Sequence, residues 1–165
     1  SLTKIALKKS FPQRLTPETN VRLLSERELV LRRCGMGDLK GSIVETYGKE
    51  FEIKGKDAVR VRDLEAIPAD TEAWTTLETD EFTILCPFSG LPDFAKLTIR
   101  YKPNGKVVEH KSLKLYLTSF RDVGILQEET VEQVYRDLFN VLKPSTLSVR
   151  AEFKARGGIT NVVER

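Results

Sequence analysis

The sequence has little of what disulfide-stapled and metal-centred proteins are built from. Two cysteines and one histidine stand among 165 residues. Two cysteines make no disulfide framework, and with a single histidine they fall short of the four ligands of a structural zinc site. Metalloenzyme readings drop out on that ground. Charge of one sign is also scarce. The 27 Lys and Arg face 24 Asp and Glu, a formal net charge of +3, too small an excess to make DNA or an anionic membrane the expected main partner. No apolar run approaches the roughly 18 residues that a membrane span needs, and residues 1–9 hold no apolar stretch of signal-peptide length. There is no internal repeat and no low-complexity tract. What is there is a chain with 40% hydrophobic and 31% charged residues, enough of the first to bury a core. The expectation is a cytoplasmic, soluble, single-domain protein with no membrane contact.

Two parts read differently. Residues 1–78 form an irregular extension of short apolar clusters. Leu29-Val30-Leu31 and Ile43-Val44 look like strand fragments, with Gly35, Gly37 and Gly41 as turn signals. Residues 64–70 carry Pro68 and read as a loop. Residues 79–165 are clearer and hold the core. Phe82-Thr83-Ile84-Leu85-Cys86 is an apolar, β-branched run closed by Pro87. Residues 95–101 alternate, with Leu97, Ile99 and Tyr101 on one face and Lys96, Thr98 and Arg100 on the other. Pro103-Asn104-Gly105 then signals a turn, and residues 106–109 return as a short strand. The period next changes. Leu113, Leu117 and Phe120 predict a helix over 112–120. Val131, Val134, Leu138, Val141 and Leu142 predict another from about residue 129 until Pro144. Leu147, Val149, Ala151 and Phe153 alternate again, and Gly157-Gly158 turns into a last strand over 159–163. With the short strand at 106–109 left out of the count, the order is ββααββ, an α+β pattern.

Few side chains are suited to chemistry. Cys86 lies where a strand meets the loop Pro87-Phe88-Ser89-Gly90-Leu91-Pro92-Asp93. Two prolines and a glycine fix that loop, so Asp93 can be held near the thiol. A thiol at a strand end beside a carboxylate makes a nucleophile and proton-donor pair; equally, Cys86 reads as an ordinary buried core cysteine. Cys34, between Arg33 and Gly35, has a basic neighbour and nothing else to support a role. Lys111 and Lys114 share a helix face opposite the Leu113/Leu117 stripe, and Arg156-Gly157-Gly158 puts a cation beside a backbone that a ligand can approach closely. Together they could hold phosphates, or be solvated charges. Gln127-Glu128-Glu129 could recognise ligand N–H groups or simply open a helix. His110 sits inside the charged cluster, as a ligand contact or an exposed polar residue. Gly35-Met36-Gly37 is followed by Gly41, one place too late for a dinucleotide fingerprint, and no P-loop motif occurs. Any nucleotide cofactor is therefore bound by some other device.

Three blocks carry a resemblance: Cys86-Pro87-Phe88-Ser89-Gly90-Leu91-Pro92-Asp93-Phe94-Ala95, then Glu109-His110-Lys111-Ser112-Leu113-Lys114-Leu115-Tyr116, then Arg156-Gly157-Gly158-Ile159. In this order they resemble the nitrile reductases of queuosine biosynthesis, the 7-cyano-7-deazaguanine reductases. These belong to the tunnelling-fold group that includes GTP cyclohydrolase I. The second block is similar to the signature that separates the reductases from the cyclohydrolases. The resemblance spans roughly residues 79–160 and does not extend over 1–60.

The resemblance implies a tunnelling fold, an antiparallel sheet with two helices on one face, whose copies assemble into a barrel. The partners it implies are the substrate 7-cyano-7-deazaguanine and further copies of the chain, as a ring or two stacked rings, with no direct nucleic-acid contact. Cys86 would attack the nitrile carbon to form a thioimide, and Asp93 would protonate the nitrogen as general acid. NADPH would take the thioimide to the aminomethyl product in two hydride transfers. Glu128 would hold the deazaguanine by its N–H groups, with Val108, Glu109, His110 and Gln127 lining the pocket. Lys111, Lys114, Arg156 and Gly157 would contact NADPH. Two departures stand out: Gln127 occupies the place of a usual His, and His110 that of a usual Ser or Leu. Gln127 keeps a donor and an acceptor but cannot carry a proton.

Three rival readings compete with this one. An archaeosine-type relative adds ammonia to a nitrile already on tRNA and needs no NADPH; Lys111, Lys114, Arg156 and the weak net charge count against it. A non-catalytic purine-binding ring module would leave Cys86 and Asp93 without work. A pterin-forming cyclohydrolase needs zinc ligands this chain lacks.

Overall fold

The computed structural model describes residues 42–46 and 49–165; the readings at Leu29-Val30-Leu31, Cys34, Gly35, Gly37 and Gly41 lie outside them. The elements in chain order are β1 (Ser42–Thr46), β2 (Lys49–Ile53), β3 (Ala66–Pro68), β4 (Thr75–Leu85), β5 (Pro92–Lys102), β6 (Lys106–Val108), α1 (His110–Thr118), α2 (Gln127–Leu142), β7 (Thr146–Arg156) and β8 (Ile159–Glu164). Single 3-10 turns, Lys56–Ala58 and Val61–Asp63, lie between β2 and β3. The main sheet runs β4-β5-β7-β8, antiparallel throughout, while β1 pairs with β2 and β3 with β6. No helix among the described residues is long and apolar enough to cross a membrane.

Period-2 patterning explains the sheet. On β5, Ala95, Leu97, Ile99 and Tyr101 are buried while Phe94, Lys96 and Arg100 are exposed. On β7, Leu147, Val149, Ala151 and Phe153 turn to the same side. Both helices cover that face with Leu113 and Tyr116 from α1 and Val131, Val134, Leu138 and Leu142 from α2. Burying one such side chain contributes about 1.5–3 kcal/mol, so this one face supplies most of the driving force. Phe120 meets Phe82 and Tyr116 edge-on, with ring centroids 5.5 and 5.3 Å apart. The hydroxyl of Tyr116 donates to Asp137 Oδ2 at 2.7 Å, tying α1 to α2. Burial pushes the Asp137 carboxyl above its ordinary value and the Tyr116 hydroxyl far above its own. The β7–β8 turn needs glycine for its backbone: Gly157 and Gly158 lie at φ +56° and +81°, with open space where side chains would stand.

The structure departs from the sequence reading in several places. Residues 64–70 are not wholly a loop, because Ala66–Pro68 forms β3. Its partner is the short strand at 106–108, which pairs there rather than returning against β5. The reason is occupancy: both edges of β5 are taken, by β4 and β7. Ser112 reinforces the β3–β6 ladder by accepting from the Glu65 N–H at 3.0 Å. The strand expected over 82–86 begins at Thr75 and stops at Leu85. A register irregularity between Thr79 and Phe82 interrupts its alternation, which hides its polar first half from a period count. Both helices start two residues early, at His110 and Gln127.

Candidate active site

Cys86 follows the last residue of β4 and opens a tight turn. Its N–H donates to the Leu91 carbonyl and its own carbonyl accepts from the Gly90 N–H, each at 2.9 Å. Gly90 takes φ +67°, a conformation glycine adopts without strain. The thiol is free and half-buried. Pairing of β4 with β5 runs up to this turn, with Leu85 opposite Pro92 and Ile84 opposite Asp93. Asp93 is 7% exposed. A carboxylate buried alone would be costly, and here Arg156 Nε reaches its Oδ1 at 2.7 Å. Arg156 also donates to the Pro92 carbonyl.

A strap formed by residues 122–125 joins this turn to the start of α2. The Leu85 N–H donates to the Val123 carbonyl at 3.0 Å, and the Ile125 N–H donates to the Leu85 carbonyl at 3.2 Å. On its other side, the Lys54 N–H donates to the Asp122 carbonyl at 2.8 Å and the Gly124 N–H to the Lys54 carbonyl at 2.9 Å. The residue before Cys86 is thereby hydrogen-bonded to a residue two places before Gln127. A side chain at Gly124 would place its Cβ 2.3 Å from Ile53 Cγ2 and 3.5 Å from Pro87 Cα. Ile53 is 1% exposed and cannot swing aside. We therefore expect Gly124→Ala to lower stability by about 1–3 kcal/mol in denaturant unfolding, and to cut turnover in whatever fraction remains folded. An unchanged unfolding midpoint would show that the strap yields freely.

Gln127 and Glu128 open α2, whose N-cap Leu126 offers no side-chain acceptor. Asn161 on β8 binds both: its Nδ2 donates to Gln127 Oε1 at 2.8 Å and to Glu128 Oε1 at 3.1 Å. Gln127, Asn161 and Arg156 line one hollow of about 260 Å3. Asn161 was missed in the sequence reading, yet a signal existed. It is polar at a position that shares the inward side of β8 with Val163, between the exposed Thr160 and Val162.

The remaining expected site residues cluster at the start of α1. Val108 is buried, and its N–H meets the Tyr101 hydroxyl oxygen at 3.2 Å. Glu109 caps the helix, accepting from the backbone N–H groups of Lys111 at 2.9 Å and Ser112 at 2.6 Å. Both carboxylate oxygens are thus turned to its own first turn. His110, Lys111 and Lys114 are exposed. His110 and Lys114 edge a groove of about 500 Å3 between α1 and β4, floored by Leu97, Leu113 and Leu117. The structure therefore brings Arg156 to Asp93 and groups Gln127 with Glu128, but it places Lys114 and His110 on a separate groove. Among the described residues no group of three or more His, Cys, Asp and Glu is placed to hold a metal ion.

The cap on Glu109 carries a pH signature. The N–H groups of Lys111 first, then Ser112, hold its carboxyl below the ordinary glutamate value. A carboxyl lowered on folding stabilises the native state above its unfolded pKa, and that contribution disappears as pH falls through the native value. The midpoint difference between wild type and Glu109→Gln should therefore shrink between roughly pH 6 and pH 3. A pH-independent difference in thermal unfolding would refute the charged cap.

Comparison with known proteins adds an independent line. The family described as QueF-like protein matches residues 92–165. A Thermotoga maritima protein named NADPH-dependent 7-cyano-7-deazaguanine reductase is 48% identical over 119 residues, covering 71% of this chain and 87% of that one. A protein of the same name from Caldicellulosiruptor bescii is 51% identical over 121 residues, covering 71% and 92%. Among solved structures, the apo form of the archaeosine synthase QueF-Like aligns with TM-score 0.55 and 22% identity over 58% of this chain and 94% of that one. At that identity the likeness speaks for the fold alone.

Proposed function

The chain belongs to the family of NADPH-dependent 7-cyano-7-deazaguanine reductases, and from that membership we infer that it reduces the nitrile of 7-cyano-7-deazaguanine to an aminomethyl group, using NADPH, within queuosine biosynthesis. The observation that carries the site assignment is the convergence at one end of the main sheet. The Cys86 turn, the Asp93–Arg156 pair and the Gln127–Glu128 helix start are tied together by the 122–125 strap and Asn161.

In this mechanism the Cys86 sulfur attacks the nitrile carbon. A C–S bond forms, one C–N π pair moves to nitrogen, and nitrogen takes a proton, giving a thioimide. Asp93 takes the thiol proton and passes it to that nitrogen. NADPH, when bound, supplies one hydride per molecule, so each nitrile requires two. After the first reduction the electron pair left on nitrogen would re-form the C–N π bond as the C–S bond breaks with its own pair on sulfur. The Cys86 thiolate would take a proton and be regenerated, and nitrogen would take a further proton as the imine carbon is reduced. Glu128 holds the base by accepting from its N–H groups, a charge-assisted contact, and Gln127 borders it. Val108, Glu109 and His110, which stand apart beside α1 within one chain, would border the base from a neighbouring copy.

The chain's residues fit NADPH without a Rossmann turn. The groove beside α1 pairs an apolar floor with Lys114 and Arg121 on its helix side and Glu78 and Glu81 on its β4 side. Glu78 is paired with Lys96 at 3.1 Å, and Lys111 stands exposed on the helix's first turn. The cations Lys111, Lys114 and Arg121 suit phosphate oxygens. Arg156 would have to exchange Asp93 for a phosphate to join them, and Gly157 would offer backbone alone. We infer also that the described residues form one tunnelling-fold domain; its main sheet begins at Thr75, inside the extension read over 1–78, and residues 1–41 lie outside the described residues. Copies would associate into a ring-shaped barrel, as one ring or two stacked, in the cytoplasm. What supports association is that β4 and β8 are the outer strands of the main sheet, with edges open to pairing except at Leu85, which the 122–125 strap covers. Ile159 on β8 is 75% exposed.

The test is NADPH oxidation on adding free 7-cyano-7-deazaguanine, with mass spectrometry of the protein. Two NADPH consumed per nitrile, with a Cys86 adduct when cofactor is withheld, is expected. An adduct without NADPH consumption would point instead to an ammonia-using reaction, and neither signal would overturn the nitrile chemistry altogether. An active species with the mass of one chain in solution would remove the ring.

A further inference from the structure

The Asn161 carboxamide is placed where the orientation of its neighbours is forced by what each group can donate or accept. Glu128, as a carboxylate, only accepts. The Asn161 group facing it at 3.1 Å must therefore be the NH2. That same Nδ2 meets Gln127 at 2.8 Å, so Gln127 turns its Oε1 toward Asn161. The two N–H bonds of Gln127 Nε2 are then left pointing away from Asn161, as donors. Glu128 retains its second oxygen, Oε2, as an acceptor. A donor and an acceptor thus stand on successive residues at the start of one helix, with polarity set from another strand. Freed from Asn161, the Gln127 amide could turn over and present either end, since its two ends differ little in shape.

We propose that Asn161 is a positioning residue that fixes Gln127 as a donor beside Glu128, an acceptor by its own chemistry, so that the pair reads a lactam edge, a ring carbonyl beside a ring N–H. This rests on the preceding assignment of Gln127 and Glu128 to base binding. A 7-deazaguanine carries such an edge: its carbonyl oxygen would accept from Gln127 Nε2, and the adjacent N–H would donate to Glu128. It also gives Gln127 a use that needs no titratable proton. A glutamine can present a donor at every pH, provided something holds its amide the right way round. Asn161 acts through these two residues and is not assigned a contact with the reacting nitrile.

The decisive measurement is a comparison of wild type, Asn161→Ala, Asn161→Asp, Gln127→Ala and the Gln127→Ala/Asn161→Ala double variant. Each is assayed for the Michaelis constants of both substrates, kcat, and the calorimetric affinity for 7-cyano-7-deazaguanine. Asn161→Ala should raise KM and Kd for the base about 10-fold, with KM for NADPH unchanged. Asn161→Asp should be worse, about 100-fold, because its carboxylate repels Glu128 and accepts from Gln127, reversing the amide. In the Gln127→Ala background the Asn161→Ala effect should fall well below 10-fold, since the amide whose polarity it sets is gone and only its contact with Glu128 remains. An analogue lacking the ring carbonyl should be discriminated against by wild type and hardly at all by Asn161→Ala. Equal losses in both Michaelis constants, additive effects in the cycle, or unaltered discrimination would each overturn the proposal. Wild-type turnover separates the two readings. Absent turnover defeats the reductase assignment, while the calorimetric ratios still decide the role of Asn161.

Discussion

Cys86→Ala is expected to abolish turnover, by at least about 10³-fold in kcat, and to leave the fold in place. The side chain is half-buried at a turn whose conformation is held by backbone hydrogen bonds and by Gly90, none of which involves sulfur. Removing one sulfur there deletes a nucleophile without removing a core-filling group. Circular dichroism and the unfolding midpoint should therefore stay close to wild type while NADPH oxidation stops and the mass adduct disappears. Binding of 7-cyano-7-deazaguanine should persist, because Gln127 and Glu128, the residues assigned to hold its edge, lie on α2 and not in the Cys86 turn. Residual turnover at even a tenth of the wild-type rate would sink the covalent mechanism, since no second thiol among the described residues could replace it.

Asp93→Asn should lower kcat by about 10²–10⁴-fold, the usual worth of a positioned proton-transfer group. The substitution keeps shape and an acceptor oxygen for Arg156, so the β4–β5 ladder and the Cys86 turn should persist. It removes the ability to take the thiol proton and hand it on. Adduct formation on Cys86 should become slow rather than vanish, because water can still deliver protons inefficiently. Arg156 loses its carboxylate partner, but its side chain is 42% exposed and remains hydrated, so the stability cost should be small. Pre-steady-state mass spectrometry separates the two roles: slowed adduct growth marks proton transfer, whereas a normal rate would confine Asp93 to holding Arg156 in place.

Much of this was legible without coordinates. Alternation at Leu97, Ile99 and Tyr101 and at Leu147 through Phe153 identified the two central strands, and all of those residues are buried. The 3.6-residue stripes identified both helices, and Gly157-Gly158 located the final turn. These are local signals, each carried within one element by which side chains face water. The helix starts were misplaced by two residues because one cap is Glu109, an uncommon capping residue, and the other, Leu126, makes no side-chain cap at all.

By itself, then, the sequence determined the two helices and the order of the four main-sheet strands around them, and it singled out Cys86 and Asp93 as candidates for chemistry. Tertiary structure alone decided which elements meet. Nothing in residues 66–68 announces that they pair with 106–108, because strand partnership depends on which edges other strands have left open. Nor does any spacing reveal that Arg156 closes on Asp93, that residues 122–125 bind Leu85, or that Asn161 reaches back 34 residues to Gln127. Hydrophobic periodicity reports burial one element at a time, whereas hydrogen bonds and ion pairs between distant residues depend on distances that exist only once the sheet has closed under its helices.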